Sequence, residues 1–319
     1  MSKTKVSINV LTYNHEQYIR DAIESIRKQK VNFEYEVHFF DDASIDKTVD
    51  IIRSYKENNF FIHINSNNQG ISKNFCKGLL TVGTEYIFDL AGDDYIPNED
   101  TLQKCYDFLN KHDGYSGISG WTEIRDVFGN VVGIDKNVKE EFTLKQWLMG
   151  NRPMCSHGMI RRFWNTADIR KIERIAKATR NNEEIVAWTS FLEYGPKAIL
   201  QECVYGYRYI NQIGQSNYNS NHKIADIFSD NYMAITYMRK NSNLCMEGLF
   251  LKYAYRYLTQ SIADRNWRAF FQMWNILNIQ DKIKCMKYFI YIYFTRGEIP
   301  SKIVLEIENS MLKVRKGNE

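Results

Sequence analysis

The chain has 319 residues, 44% apolar and 25% charged, the balance of a globular protein in water. Its 42 Lys and Arg against 38 Asp and Glu leave a net charge of only +4, too little to argue for nucleic acid, and no helix-turn-helix or zinc-finger pattern accompanies it. Cys76, Cys105, Cys155, Cys203, Cys245 and Cys285 have no close pairing, which fits reduced thiols in a cytoplasmic chain better than a disulfide framework or zinc site. No apolar run reaches the ~20 residues that span a bilayer, and no signal peptide is expected ahead of the first strand.

In chain order, Val6–Leu11 reads as a strand, followed by the polar loop Thr12-Tyr13-Asn14-His15-Glu16. A helical pattern then places Tyr18, Ala22, Ile23 and Ile26 on one side. Tyr35–Phe40 is a second strand ending at Asp41-Asp42-Ala43-Ser44, with a helix after Asp46. Phe60–Ile64 is a third strand, ending in Asn65–Asn68 and Gly70, with a helix over Ile71–Leu80. Tyr86–Phe88 is a fourth. Strand, polar tip and helix thus repeat three times before the acidic pair Asp93-Asp94, as in βαβ units with a parallel sheet. Right-handed crossovers bring Thr12, Asp41, Asn68, Asp93 and Asp94 to one rim.

Ala91 and Gly92 let the backbone turn beside a ligand. Asp93 and Asp94 repel unless a cation offsets them, and Mg²⁺ is held by one or two carboxylates plus substrate phosphates; the pair by itself is also readable as a helix start. No G-x-G-x-x-G and no P-loop is present, so a nucleotide would be held by side chains. Asp41 suits a pyrimidine N–H, and Asp42 is expected to orient its loop. The pair also fits a helix-start turn, with Ser44 and Asp46 as caps.

Pro97 ends the fourth unit, and Asp100–Leu109 reads as a helix. Gly117–Ile134 reads as two short strands turning at Phe128-Gly129-Asn130. A short helix is expected over Phe142–Met149 and a strand over Gly158–Phe163. Met154 to His157 would border an acceptor pocket. Asn181-Asn182-Glu183-Glu184 opens an amphipathic helix, where a carboxylate is stabilised with or without a catalytic task and one would serve a displacement as general base. Ile199–Tyr205 is read as the last strand, and Arg208 or a neighbour as a cationic clamp for a diphosphate. Beyond Lys223, helices are expected over Ile224–Arg239, Cys245–Ile262, Trp267–Ile279 and Ile283–Phe294. Residues 281–319 carry eight Lys and Arg against five Asp and Glu. This basic, aromatic tail is open to three readings: an anionic leaflet, a dimer seam or a second core.

Over residues 6–216 the ordered segments resemble the GT-A catalytic domain of inverting glycosyltransferase family 2. Val10-Leu11-Thr12-Tyr13-Asn14 resembles the opening strand and loop, and Asp41 to Thr48 the D-D-G-S-x-D-x-T segment, with Ala43 for glycine. Asn68-Gln69-Gly70-Ile71-Ser72 resembles the N-x-G-x-x turn, and Gly92-Asp93-Asp94 the end of D-x-D-D. Glu183-Glu184 resembles the E-D pair, and Tyr207-Arg208 with Ser216 a late Y-R…S segment. Ala91 stands where the family often has its first metal-motif Asp, a contact Asp89 could assume. Phe75 stands where many members have Arg, with Lys73 or Asn74 as substitutes, and Ile210 is near the place of a late histidine.

The resemblance implies a Rossmann-like, mostly parallel sheet flanked by helices over residues 1–222, with residues 223–319 a helical region for oligomerisation or membrane association. It implies a nucleotide-sugar donor, UDP the expected carrier, held by Thr12, Tyr13, Asn14, Glu16, Asp41, Asn68, Gly70, Lys73, Asp93 and Arg208. Mg²⁺ or Mn²⁺ would sit on Asp93 with Asp94 beside it. Glu184 would be the base, with Glu183 and His157 on the acceptor side. The acceptor would be a glycan or lipid-linked glycan of a bacterial surface polysaccharide, and the chain would be cytoplasmic or peripheral on the inner face of the membrane. Two other readings fit the residues: a donor- or glycan-binding scaffold without turnover, and a sugar-phosphate nucleotidyltransferase, against which Thr12-Tyr13-Asn14 stands in place of a Gly-rich basic loop.

Overall fold

Every residue of the first strand, β1 (Val6–Thr12), is buried, so it reads as a continuous apolar run rather than an alternation. The computed structural model describes residues 4–136, 139–151, 157–163, 184–209, 221–295 and 298–317. After β1 come α1 (Ile19–Arg27), β2 (Tyr35–Asp41), α2 (Thr48–Ser54), β3 (Phe60–Ile64), α3 (Ile71–Thr81), β4 (Tyr86–Ala91) and α4 (Thr101–Lys111). Then follow β5 (Gly117–Arg125), β6 (Val131–Asp135), β7 (Glu141–Phe142), α5 (Leu144–Leu148), β8 (Gly158–Arg161), α6 (Glu184–Tyr194) and β9 (Lys197–Arg208). The chain continues as α7 (Asn221–Asn241), α8 (Glu247–Ala263), α9 (Trp267–Ile276), α10 (Ile279–Phe294) and α11 (Ser301–Gly317).

Two compact units result. The first comprises Met1–Thr143, Pro153–Glu183 and Ser190–Asn211, and holds the sheet. Its strand order is β3-β2-β1-β4-β8-β5-β9-β7, with β6 on β5. The first four strands are parallel. β8 then runs antiparallel to both β4 and β5, and β9 returns parallel to β5. The sheet is thus mostly parallel, with its antiparallel pairings beyond β4, where the strand–tip–helix repeat no longer operates.

Side-chain alternation divides the sheet's faces. Val6, Ile8, Val10, Phe39, Phe88 and Leu90 join Ile19, Ile23 and Ile26 of α1, Ile52 of α2 and Leu102 and Leu109 of α4 in one core. The other face carries Asn9 and Phe40 against Gly78 of α3, where an added Cβ would stand 3.1 Å from Asn9 Nδ2. The repeating apolar positions of each helix thus decide which face it covers.

The second unit comprises Leu144–Arg152, Glu184–Thr189 and Gln212–Glu319. Arg239 of α7 joins three helices, bonding Asp281 of α10 at 2.8 Å and Glu247 of α8 at 2.9 Å. Tyr232 donates to the same Asp281 at 2.9 Å, so this buried carboxylate is paired and hydrogen-bonded. Asn266 and Asn278 cap α9 and α10 through their side chains. Phe142, expected in a helix, belongs to β7, and α11 adds a helix beyond those expected.

Gly120 sits where β5 shifts register against β9. A Cβ there would lie 2.5 Å from both the Glu202 carbonyl oxygen and Val204 Cγ2. Gly120→Ala is expected to cost about 1–3 kcal/mol through this overpacking, read as a fall in the thermal unfolding midpoint.

Candidate functional site

The order β3-β2-β1-β4 reverses direction between β1 and β4, because α3 crosses on the face opposite α1. Such a switch point opens a crevice at the carboxyl ends of the strands. Thr12 pairs with Asp41, and Leu11 with Ala91, so the tips of β1, β2 and β4 stand side by side.

The β2 tip turns two carboxylates inward. Asp41 Oδ1 accepts from Thr12 Oγ1 at 2.9 Å and Ser44 Oγ at 2.5 Å, and Oδ2 accepts from the Ser44 amide at 2.9 Å. Oδ2 keeps one lone pair for a further donor. Asp42 accepts from Asn65 Nδ2 at 2.8 Å and from the Gln69 and Gly70 amides at 2.9 and 2.8 Å. It thereby clamps the β3–α3 loop. Asn14 and Ala43 hold positive φ of 55° and 62°, costly for a side chain, and are held by exchanges between their loops. Ser44 Oγ accepts from the Asn14 amide, while Asn14 Oδ1 accepts from that of Ile45. Glu16 and Asp46 add the pairs Lys47 N to Glu16 Oε2 and Glu16 N to Asp46 Oδ2, each 3.0 Å.

At the β4 tip the two acidic neighbours point apart. Asp94 is buried; Oδ2 accepts from the Tyr205 hydroxyl at 2.8 Å and Oδ1 from the Arg208 amide at 2.8 Å. Burial, then the charge of Asp93, pushes its carboxyl far above the usual range, to about 8. Asp93 keeps a partly open carboxylate, with His15 Nε2 3.9 Å from Oδ1. Gly92 is required between them: a Cβ would stand 2.7 Å from Thr12 Cγ2 and 2.8 Å from His15 Nδ1. That His15 nitrogen is buried without a hydrogen-bond partner.

Arg208 is buried and committed within this unit. Nε donates to the Asp93 carbonyl at 3.0 Å, Nη2 to Asp21 Oδ2 at 2.6 Å and Nη1 to the Asp126 carbonyl at 3.4 Å. It braces the turn that carries Asp93. His157 Nδ1 is 2.8 Å from Asp89 Oδ2, and its ring stacks on Tyr205 at 4.7 Å. Asp89 Oδ1 is buried without a partner.

Tyr13 and Lys73 are exposed, Asn68 is half-buried, and Gly70 (φ 89°) opens α3. Asn74 donates to the Phe40 carbonyl at 2.7 Å, and Phe75 is buried in α3. Glu183, Cys155, Ile210 and Ser216 lie outside the described residues; Glu184 is the first residue of α6, with its side chain outside them. His15 and Tyr205 were not singled out from sequence. His15 sits in a loop read only as polar, and Tyr205 reaches Asp94 across 111 positions.

Among the described residues, no three His, Cys, Asp or Glu side chains gather as a metal cage. One partly open carboxylate at a switch point does fit a Mg²⁺ or Mn²⁺ held chiefly by a ligand's phosphates. No helix of the described residues is long and apolar enough to cross a membrane.

Residues 7–164 match the model of Glycosyl transferase family 2, and this part of the chain belongs to that family. The fold is GT-A: it superposes on the crystal structure of Staphylococcus aureus TarS 1–349 with UDP at a TM-score of 0.57 and 19% identity, covering 98% of this chain and 92% of that one. By sequence, the poly(ribitol-phosphate) β-N-acetylglucosaminyltransferase TarS of S. aureus is 33% identical over 111 residues, 34% of this chain and 19% of that protein. The putative teichuronic acid biosynthesis glycosyltransferase TuaG of Bacillus subtilis is 26% identical over 221 residues, 67% of this chain and 83% of that protein. An uncharacterized Mycobacterium tuberculosis protein is 34% identical over 110 residues, of which this chain spans 32%.

Asp94 supplies a pH prediction. Its folded pKa, raised to about 8, exceeds that of an unfolded Asp, so the folded state holds a proton that the unfolded state has released. Its contribution to stability is therefore complete at acid pH and lost as pH rises through about 8. In chelator-treated protein the unfolding midpoint should fall more steeply from pH 5 to 8 in the parent than in Asp94→Asn, which cannot ionise. Parallel profiles would contradict the assignment.

Proposed function

We propose that the chain is an inverting glycosyltransferase that moves a sugar from a nucleotide sugar, with UDP as carrier, to a glycan or lipid-linked glycan acceptor of a bacterial surface polysaccharide. The observation that carries this reading is the convergence of Thr12, Asp41 and Asp93 at the switch point, with Asp41 keeping an acceptor direction for a pyrimidine N–H. The TarS structure with UDP supports the choice of carrier, and the TarS and TuaG names support the acceptor class.

In this mechanism the base of the donor meets Asp41, and its diphosphate lies by Asp93. A Mg²⁺ or Mn²⁺ held there with the phosphates would offset the charge on the departing diphosphate. Asp94 and Arg208 position Asp93 by holding the turn from beneath. Glu184, the base assigned by the family resemblance, takes the proton of the acceptor hydroxyl. The hydroxyl oxygen then bonds to the anomeric carbon on the face opposite the diphosphate. As that bond forms, the carbon–oxygen bond to the diphosphate breaks, and the configuration inverts.

Asp93→Asn should lower kcat by ~10²-fold or more, with an unchanged circular dichroism spectrum, and its turnover should no longer respond to added Mg²⁺ or Mn²⁺. Near-parental turnover in the variant would sink the role. Glu184→Gln keeps size and polarity but removes the basic oxygen. It should cut kcat by ~10²–10⁴-fold while calorimetric binding of UDP is unchanged, and Glu183→Gln should cost much less. If the Glu183 variant is the inactive one, the base has been misassigned.

A further inference from the structure

Helix α10 is apolar on two faces. One face is buried through Asp281, Cys285 and Ile292. The other is open: Ile279, Ile283, Met286, Ile290, Tyr293 and Phe294 are 54–77% exposed. At about 100° per residue these six fall in one sector about 100° wide. Lys282 and Lys287 lie about 20° beyond its two edges by the same spacing. Large contiguous exposed apolar surface marks an interaction site.

The charges decide what covers it. From Trp267 to Thr295 the chain carries Arg268, Lys282, Lys284 and Lys287, and Asp281 as its only acid. Asp281 is buried and bonded to Arg239 and Tyr232, so it offers nothing to the surface. Lys284 is paired with Glu247 at 3.0 Å. Lys282 and Lys287 instead lie over the Trp274 and Tyr288 rings, at 6.0 and 5.2 Å. A second copy of the helix, parallel or antiparallel, would set lysine against lysine along both edges of the seam, which is unfavourable. An apolar stripe between two lysines, with Trp267 and Phe271 also exposed on α9, instead matches the boundary between acyl chains and anionic headgroups.

We propose that α10 lies in the plane of an anionic lipid surface, its stripe in the acyl boundary and Lys282 and Lys287 at the headgroups, and so holds the chain on a membrane. The inference rests on the helical unit alone and stands whether or not the proposed sugar transfer is right.

The test is co-sedimentation of the full chain with phosphatidylcholine vesicles, with and without phosphatidylglycerol. Binding is expected only with phosphatidylglycerol, falling as salt is raised. Lys282→Gln and Lys287→Gln should each weaken it roughly 5-fold. Met286→Glu with Ile290→Glu should abolish it while the unfolding midpoint and the calorimetric UDP affinity stay near parental, since both side chains are exposed. No binding to phosphatidylglycerol vesicles, or equal binding by the double variant, overturns the proposal. So does a parental dimer that the double variant converts to monomer in light scattering without loss of vesicle binding, because the stripe would then belong to a second copy.

Discussion

A carboxylate removed from water must be met by donors or keep its proton. Asp94 is the point at which this constraint organises the sheet unit. It lies just beyond β4, but its donors, the Tyr205 hydroxyl and the Arg208 amide, come from β9. Tyr205 also accepts from the Ala91 amide at 3.1 Å, and Arg208 returns to the Asp93 carbonyl. A strand more than a hundred positions away therefore fixes the direction of the turn at the crevice. Without the inward carboxylate the turn would keep only the bonds of its backbone to Tyr205 and Arg208.

The same device recurs at the β2 tip. Asp42 is bonded to the β3–α3 loop and Asp41 to the β1 and β2 loops, so consecutive acids serve different neighbours. The substitutions relative to the family pattern fit this scheme. Ala43 retains the positive φ for which glycine would be preferred, and the Ser44 contacts hold it there. Ala91 carries no carboxylate, but its amide is bonded to Tyr205, so the turn keeps its brace without the missing acid. Asp89 lies two residues earlier, on the α3 face with Asn9, bonded to His157.

Charge is arranged oppositely in the helical unit. There the single acid of α10 is drawn inside to join Arg239, and Lys282 and Lys287 are left at the edges of an apolar stripe. A helix has only about 3.6 residues per turn, so two apolar faces leave only narrow edges for charge. That geometry explains why α10 reads from sequence as apolar almost all round although it is not long and apolar enough to cross a membrane.

The strand–tip–helix repeat of residues 6–91 was legible in the sequence because hydrophobic periodicity is local: each element carries the pattern of the face it buries. The polar tips were legible for the same reason, since right-handed crossovers leave them on one rim. What the periodicity could not contain was the antiparallel β8 between β4 and β5, because a register between strands leaves little trace in either strand alone. Nor could it say that Asp94 turns inward and Asp93 outward, that His15 rests on Gly92, or that Arg208 braces the turn from below. Those outcomes depend on donors supplied from distant segments, Tyr205 and Arg208 above all, and a buried carboxylate's partners exist only once the sheet has closed around it.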